Sequence, residues 1–199
     1  MTRRVFVIRH GNTFESSASA RRIGAGTDIP LVASGRVQAD RLGKWFAAEG
    51  LTVRRLLSSP LLRARETADR IGAAIGHSID GAMSWLNEID HGPDEGRSEA
   101  ETLARLGPQA LIAWDEKGIA PSGWRVDAES RIAAWRAYFA EPGEGSDLLV
   151  TSNGAARFAL LALGLPLVSL KLRTGAFGEL SVEGGGTVRL IRWDERPLS

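Results

Sequence analysis

Short apolar runs that stop at a polar residue followed by Gly recur along this chain. Residues 5–8, Val-Phe-Val-Ile, are rich in β-branched side chains and end in Arg9, His10 and Gly11. That is the pattern of a strand buried on both faces in a parallel sheet. Residues 147–154 repeat it, with Leu148, Leu149 and Val150 leading through Thr151 and Ser152 to Asn153 and Gly154. Neighbouring parallel strands of this kind bring Asn153 near His10 at their carboxyl ends, where open α/β sheets hold their ligands. Gly11 is expected to let the backbone approach a ligand closely.

Between these strands the periodicity turns helical. Ser34 reads as an N-cap for a helix running to about Glu49, with Leu42, Trp45 and Phe46 at helical spacing and Gly50 as its stop. Residues 53–57 predict a second strand, after which Ser59 reads as an N-cap with Pro60 at the first helical position. The helix that follows turns Ala64, Ala68, Ile71 and Ile75 inward and carries Arg63 in its first turn. A helix N-terminus exposes unpaired N–H groups and a partial positive charge, so a cation there gains nothing from the dipole. A bound anion explains Arg63 better than helix stability does, and pairing with Glu66 is the alternative. Further helices are predicted over 98–106, 108–115, 127–139 and 155–163. Residues 178–182 and 187–193 alternate around Gly184, Gly185 and Gly186 as a closing β-hairpin. Segments 14–28 and 86–96 lack periodicity and read as loops. In the first, Arg21 and Arg22 are candidates for substrate contact, with a solvated basic pair as the alternative.

Composition narrows the function classes more than it names one. The 199 residues suit a single domain, 1–199, with the helical block around 82–125 expected as a cap over the sheet and its crevice. Lys and Arg number 25 against 24 acidic residues, so a net charge of +1 makes no electrostatic case for nucleic acid or an acidic membrane. The absence of cysteine excludes disulfides, thiolate catalysis and Cys-based metal sites. No apolar leader precedes the first strand and no stretch has the length of a membrane span, so a soluble cytoplasmic protein is the expectation. None of the three histidines pairs with another at metal-ligand spacing. His77 follows Gly76 at a helix end, where an imidazole can satisfy carbonyls, and His91 belongs either to a pocket wall or to a surface loop. Trp85, Trp114 and Trp124 either face a substrate or belong to the core.

The order of the motifs is more specific than any one of them. Arg9-His10-Gly11-Asn12-Thr13, then Ser59-Pro60 with Arg63, Ala64, Thr67 and Ala68, then Leu86-Asn87-Glu88 with Gly92, Glu95 and Gly96, resemble the histidine phosphatase superfamily, also called phosphoglycerate mutase-like. Weaker echoes are Asp28-Ile-Pro-Leu31 with Gly35, Gln38 and Ala39, and residues 172–180. The resemblance implies a three-layer α/β/α sandwich with a mostly parallel central sheet. It also implies phosphoryl transfer through a phosphohistidine with neither metal nor cofactor, of the histidine acid phosphatase type. His10 matches the nucleophile of the Arg-His-Gly motif, Arg9 and Arg63 the arginines that hold the phosphoryl oxygens, and Glu88 the proton donor. Asn12, Ser16, Asn153 and Gly154 fall at positions expected to bind phosphate. The chemistry agrees with these roles, because a phosphate monoester dianion repels nucleophiles unless cations bind it and spread the charge of the transition state. A carboxyl beside that dianion is expected to keep its proton for the leaving group.

Two positions depart from the family pattern. Ser16 stands where many members carry Asn, and Asn153 stands where the family has a second histidine before Gly. Asn keeps a hydrogen-bond donor but loses a possible charge, so Asn153 is read as a retuned active site, as the mark of a phosphate-binding pseudoenzyme or as an engineered substitution. The implied partners are a small phosphorylated substrate and phosphate, with no nucleic acid and no membrane; a homodimer is left open. Residues 89–96, Ile-Asp-His-Gly-Pro-Asp-Glu-Gly, are net acidic where family mutases add basic residues. A phosphomonoesterase is therefore the expectation, with the pseudoenzyme and a phosphoglycerate mutase as alternatives.

Overall fold

The computed structural model describes residues 2–164, 169–184 and 187–197. In chain order its elements are β1 (Thr2–Arg9), α1 (Ala33–Ala48), β2 (Val53–Ser58), α2 (Leu62–Ile75), β3 (Gly81–Ala82), α3 (Glu99–Leu106), α4 (Pro108–Lys117), α5 (Ala128–Ala140), β4 (Gly145–Thr151), α6 (Asn153–Leu161), β5 (Phe177–Glu183) and β6 (Val188–Glu195). The strands form one sheet in the order β3-β2-β4-β1-β5-β6. β4 runs parallel to both β1 and β2, and β3 runs parallel to β2. β5 closes the other side antiparallel to β1, and β6 pairs antiparallel with β5 as the expected hairpin, whose Gly185 and Gly186 lie outside the described residues.

The apolar run of β1 is wholly buried because successive side chains serve two cores. Val5 and Val7 pack with Trp114 of α4, Trp135 and Phe139 of α5 and Phe158 of α6. Phe6 and Ile8 pack with Leu42 and Phe46 of α1 and Ala64, Ala68 and Ile71 of α2. Helices therefore cover both faces, which makes the three-layer α/β/α sandwich. Among the described residues, no helix is long and apolar enough to cross a membrane. Arg9 pairs with Thr151 in the β1–β4 register, so both strands end at one level and their next residues share one rim.

Local signals misplace both helix starts. α1 begins at Ala33 with Val32 at the cap position and no capping side chain, while Ser34 lies inside the helix and accepts from Asn12 Nδ2 at 3.2 Å. α2 begins at Leu62, two residues beyond Pro60. Ser59 Oγ accepts from the Leu61 N–H at 3.3 Å, and Asp28 Oδ1, distant in sequence, takes the Leu62 N–H at 2.6 Å. A carboxylate at a helix N-terminus is a stronger partner than a hydroxyl. Gly11 is also required within the fold. A Cβ there would lie 2.2 Å from the Gly35 carbonyl oxygen, and a Cβ on Gly35 would lie 2.1 Å from the Asn12 oxygen. The pair lets the exit of β1 pack against the start of α1. His77 does not cap carbonyls; its Nε2 meets Asp80 Oδ2 at 2.8 Å.

The end of the sheet away from that rim is tied by charge. Asp147 is fully buried and accepts from Arg3 Nη1 at 2.5 Å and from Arg54 Nε and Nη2, each at 2.8 Å. Burial alone would raise its pKa, but the hydrogen bonds from Arg54 and Arg3 outweigh it and hold the carboxyl below its usual range. Asp147→Asn should cost about 3 to 5 kcal/mol at pH 7, because two guanidiniums lose their shared partner. A depressed folded pKa contributes stability above the unfolded value and loses it as pH falls. The gap between wild type and variant should therefore be full at pH 7 and narrow below about pH 4. Urea unfolding at the two pH values checks it.

Candidate active site

His10 is the first residue past β1 and is buried. Its Nδ1 lies 2.7 Å from the Gly11 carbonyl oxygen. A carbonyl only accepts, so this contact assigns the proton to Nδ1 and leaves Nε2 with its lone pair. Nε2 accepts from Arg63 Nε at 3.2 Å. Burial first, then the charges of Arg63 and Arg9, push the His10 pKa well below 6.5, against a smaller opposing effect of the Gly11 carbonyl. The imidazole is thus neutral and of the tautomer that a nucleophile needs.

Each arginine beside it is held by backbone carbonyls. Arg9 Nη1 donates to Leu172 O at 2.8 Å, while its buried Nε has no partner among the described residues. Burial first, with help from Arg196 and Arg63, pushes the Arg9 pKa down to about 10 in spite of Glu88. Arg63, in the first turn of α2, donates from Nη1 to Thr27 O at 2.6 Å and from Nη2 to Gly24 O at 3.1 Å. It does not pair with Glu66, whose Oε2 accepts from the Leu31 N–H at 2.8 Å. Glu95 holds the same loop from behind, through the Gly24 N–H at 2.7 Å and the Thr27 hydroxyl. Burial would raise the Glu95 pKa, but His91, Thr27 and the Gly24 N–H together bring it down to about 2.

Glu88 and Asn153 complete the rim. Glu88 is buried, with Oε1 accepting from its neighbour Ile89 N–H at 2.9 Å and Oε2 from the Gly154 N–H at 3.2 Å. The Gly154 amide, expected to face phosphate, is thus turned to Glu88, and a Cβ at Gly154 would lie 2.2 Å from Glu88 Oε1. Asn153 Oδ1 accepts from the Leu172 N–H at 2.8 Å, so one residue's backbone orients both Asn153 and Arg9. Asn12 borders the cavity, but its side chain is engaged at both ends, by Ser34 at 3.2 Å and by the Thr174 hydroxyl at 2.5 Å. Ser16 is exposed on the outer wall and bonded within its own turn to Ser19 at 3.2 Å.

Arg9, His10, Glu88, Asn153 and Gly154 border a cavity of about 690 Å³ whose outer walls include Phe14, Arg21, Arg22, His91, Trp114 and Lys171, while Arg63 lies buried behind His10. Both loop arginines therefore reach it; Arg22 lies 5.0 Å above the Trp124 ring and pairs with Glu99. His91 belongs to the wall and not to a surface loop. Of the three tryptophans in question only Trp114 borders the cavity. Trp124 stands behind His91, with ring centroids 4.6 Å apart, and Trp85 packs on Trp135 at 4.9 Å. Backbone carbonyls at Gly24, Thr27 and Leu172 escaped the sequence reading. The motif residues Glu95 and Gly96 and the weaker echo over 172–180 were the signals that pointed to those segments.

The sandwich and this rim have the arrangement that the resemblance to the histidine phosphatase superfamily implies. The chain belongs to the histidine phosphatase superfamily (branch 1), whose family model matches residues 5–194. It is 34% identical over 167 residues to a Salmonella choleraesuis protein named "Probable phosphoglycerate mutase GpmB", covering 81% of this chain and 75% of that protein. Among solved structures, a mycobacterial glucosyl-3-phosphoglycerate phosphatase is similar at 25% identity and a TM-score of 0.78, covering 98% of this chain and 99% of that one. A protein called "Mycobacterial hydrolase 1" is similar at 25% identity and a TM-score of 0.81, covering 98% of this chain and all of that one. Superfamily and neighbours together support an enzyme of phosphatase type.

A neutral His10 has a spectroscopic consequence. Its folded pKa is depressed, so protonation belongs well below the ordinary 6.5. Nitrogen-15 NMR at pH 6 should show one imidazole still neutral, with the proton on Nδ1, and that signal should vanish in His10→Ala. Titration near 6.5 of the signal that His10→Ala removes would contradict the assignment.

Proposed function

We propose that this protein is a phosphomonoesterase that moves the phosphoryl group of a small phosphorylated metabolite to His10 and then to water, without metal or other cofactor. The observation that carries the reading is the 2.7 Å contact of His10 Nδ1 with the Gly11 carbonyl, which leaves the Nε2 lone pair beside Arg63 Nε at 3.2 Å in a residue that borders the cavity with Arg9. Arg9 and Arg63 bind the phosphoryl oxygens and spread the charge of the in-line transition state. His10 Nε2 forms the bond to phosphorus as the ester P–O bond breaks, and Glu88 gives its proton to the departing alkoxide. Water then attacks the phosphohistidine, Glu88 takes the water's proton, and the P–N bond breaks to release phosphate and restore His10.

Asn153 modulates this scheme and leaves its nucleophile, clamp and acid in place. With Oδ1 held by Leu172, its side-chain amide offers a neutral donor to the cavity it lines. A charge-assisted bond is worth about 1 to 2 kcal/mol more, which corresponds to roughly tenfold in rate. The pseudoenzyme alternative rests on Asn153 alone. The mutase alternative draws on the name of the Salmonella relative, but two observations favour hydrolysis. Residues 89–96 are net acidic, and two cations of the outer wall, Arg22 and Lys171, are paired with Glu99 and Asp115. Among the described residues Arg21 is the one outer-wall cation without a carboxylate partner, which is little to hold an acidic substrate while its phosphoryl group moves.

Hydrolysis of p-nitrophenyl phosphate and a panel of phosphorylated metabolites should proceed in EDTA and vanish in His10→Ala. Asn153→His should raise turnover about tenfold, as a charge-assisted donor is restored. Vanadate binding without turnover would favour the pseudoenzyme, and exchange between phosphoglycerates with little phosphate release would favour the mutase.

A further inference from the structure

The turn that carries Glu88 makes few regular bonds of its own, and side chains from distant elements take its carbonyls. Leu86 O accepts from the Thr151 hydroxyl, at the end of β4, at 2.6 Å. The carbonyls of Trp85, Asn87 and Glu88 all accept from the guanidinium of Arg131 on α5, at 3.3, 2.6 and 3.4 Å. Arg131 Nε reaches back to Val126 O at 2.9 Å. Four consecutive carbonyls, Trp85 through Glu88, are thus taken by two side chains from the opposite walls of the turn.

The placement of Arg131 has no explanation in helix stability. It lies in the first turn of α5, where the dipole disfavours a cation. The residue before that helix, Asp127, adopts a left-handed backbone at φ 55° without being Gly. Such a conformation persists where the surroundings over-determine it. Arg131 is partly buried, and burial lowers its pKa against smaller opposing effects of Glu88 and Asp127. Guanidinium is the one side chain with donors enough, in a fixed fork, to hold several carbonyls at once.

We propose that Arg131 is a positioning residue for the general acid: by binding the carbonyls of Trp85, Asn87 and Glu88 it fixes the turn from which the Glu88 carboxyl serves the leaving group. The inference rests on the phosphatase reading with Glu88 as proton donor. Without the guanidinium three carbonyls lose their partner, the turn relaxes and the carboxyl drifts from its place. A misplacement of about 1 Å can cost about a hundredfold where geometry matters. The loss should fall on substrates that need the proton. An alkoxide leaves only when protonated, whereas p-nitrophenolate leaves as the anion.

The test compares p-nitrophenyl phosphate with an alkyl phosphate such as n-butyl phosphate in wild type, Arg131→Gln, Arg131→Lys and the same Gln change on a Glu88→Gln background. In Arg131→Gln the alkyl-to-aryl ratio of kcat/KM, which reports phosphoryl transfer to His10 and not the later hydrolysis that Glu88 serves on both substrates, should fall by about tenfold or more. Arg131→Lys, with one nitrogen for three carbonyls, should fall in between. With Glu88 already replaced, Arg131→Gln should move the ratio by less than about twofold. An equal loss of kcat/KM on both substrates, or a full effect in the Glu88→Gln background, overturns the inference and shows a merely structural arginine. Should thermal melts show that Arg131→Gln does not fold, Arg131→Lys decides: a lowered ratio supports the proposal and a wild-type ratio overturns it. Wild type inactive on both substrates defeats the phosphatase reading itself, and the inference with it; an active wild type with unchanged ratios in both variants defeats the Arg131 role alone.

Discussion

The short contact between His10 Nδ1 and the Gly11 carbonyl decides what the rest of the site can do. A proton committed to that carbonyl cannot sit on Nε2, so the outward nitrogen keeps a lone pair beside two guanidiniums. Those guanidiniums, together with burial, then make protonation of the ring costly. The chain must turn sharply after β1 to bring the Gly11 carbonyl under the ring, and close packing of Gly11 against Gly35 holds that turn. Thr67 joins the two halves of the clamp, donating to the Arg63 carbonyl at 2.8 Å and accepting from the Gly11 N–H at 3.2 Å.

The second constraint is the crowding of positive charge. Arg9, Arg63 and Arg157 are buried near one another, and burial lowers the pKa of each. Carbonyls hold them where carboxylates would neutralise them. Arg9 uses Leu172, Arg63 uses Gly24 and Thr27, and Arg157 donates to Trp114 O while lying 3.7 Å over its ring. A carbonyl fixes a guanidinium in place yet leaves its full charge available to a dianion. Glu95 shows the same economy one step out: its ionised carboxyl spends its bonds on the loop that carries Arg63's carbonyls, and not on Arg63 itself.

What could be read from the sequence follows from which interactions leave a trace in residue type. The buried strands β1 and β4 announce themselves by uninterrupted apolar residues, and their parallel pairing brings His10 and Asn153 to one rim. Arg63 was legible because a cation in a helix's first turn contradicts the dipole. The two helix starts were not, since Ser34 and Ser59 carry the local signal while Asp28 supplies the Leu62 partner from more than thirty positions away. The carbonyl clamps were invisible for a simpler reason: every residue has a carbonyl, so Gly24, Thr27 and Leu172 leave no mark in composition or periodicity. Trp85, in the turn of residues 84–86 against α5, and Trp114, on α4, differ only in where the fold places them, which no local pattern records.

The central claim is that His10 attacks phosphorus through Nε2, and capture of the intermediate tests it most directly. Enzyme quenched in alkali within milliseconds of mixing with p-nitrophenyl phosphate, in EDTA, would be digested and the phosphoryl group located by mass spectrometry, with its nitrogen assigned by phosphorus and proton NMR. The account predicts a phosphoryl group on His10, bonded to Nε2 and absent from His10→Ala. A phosphoryl group on Nδ1 or on another residue, or turnover with no phosphoenzyme at any quench time, would contradict it.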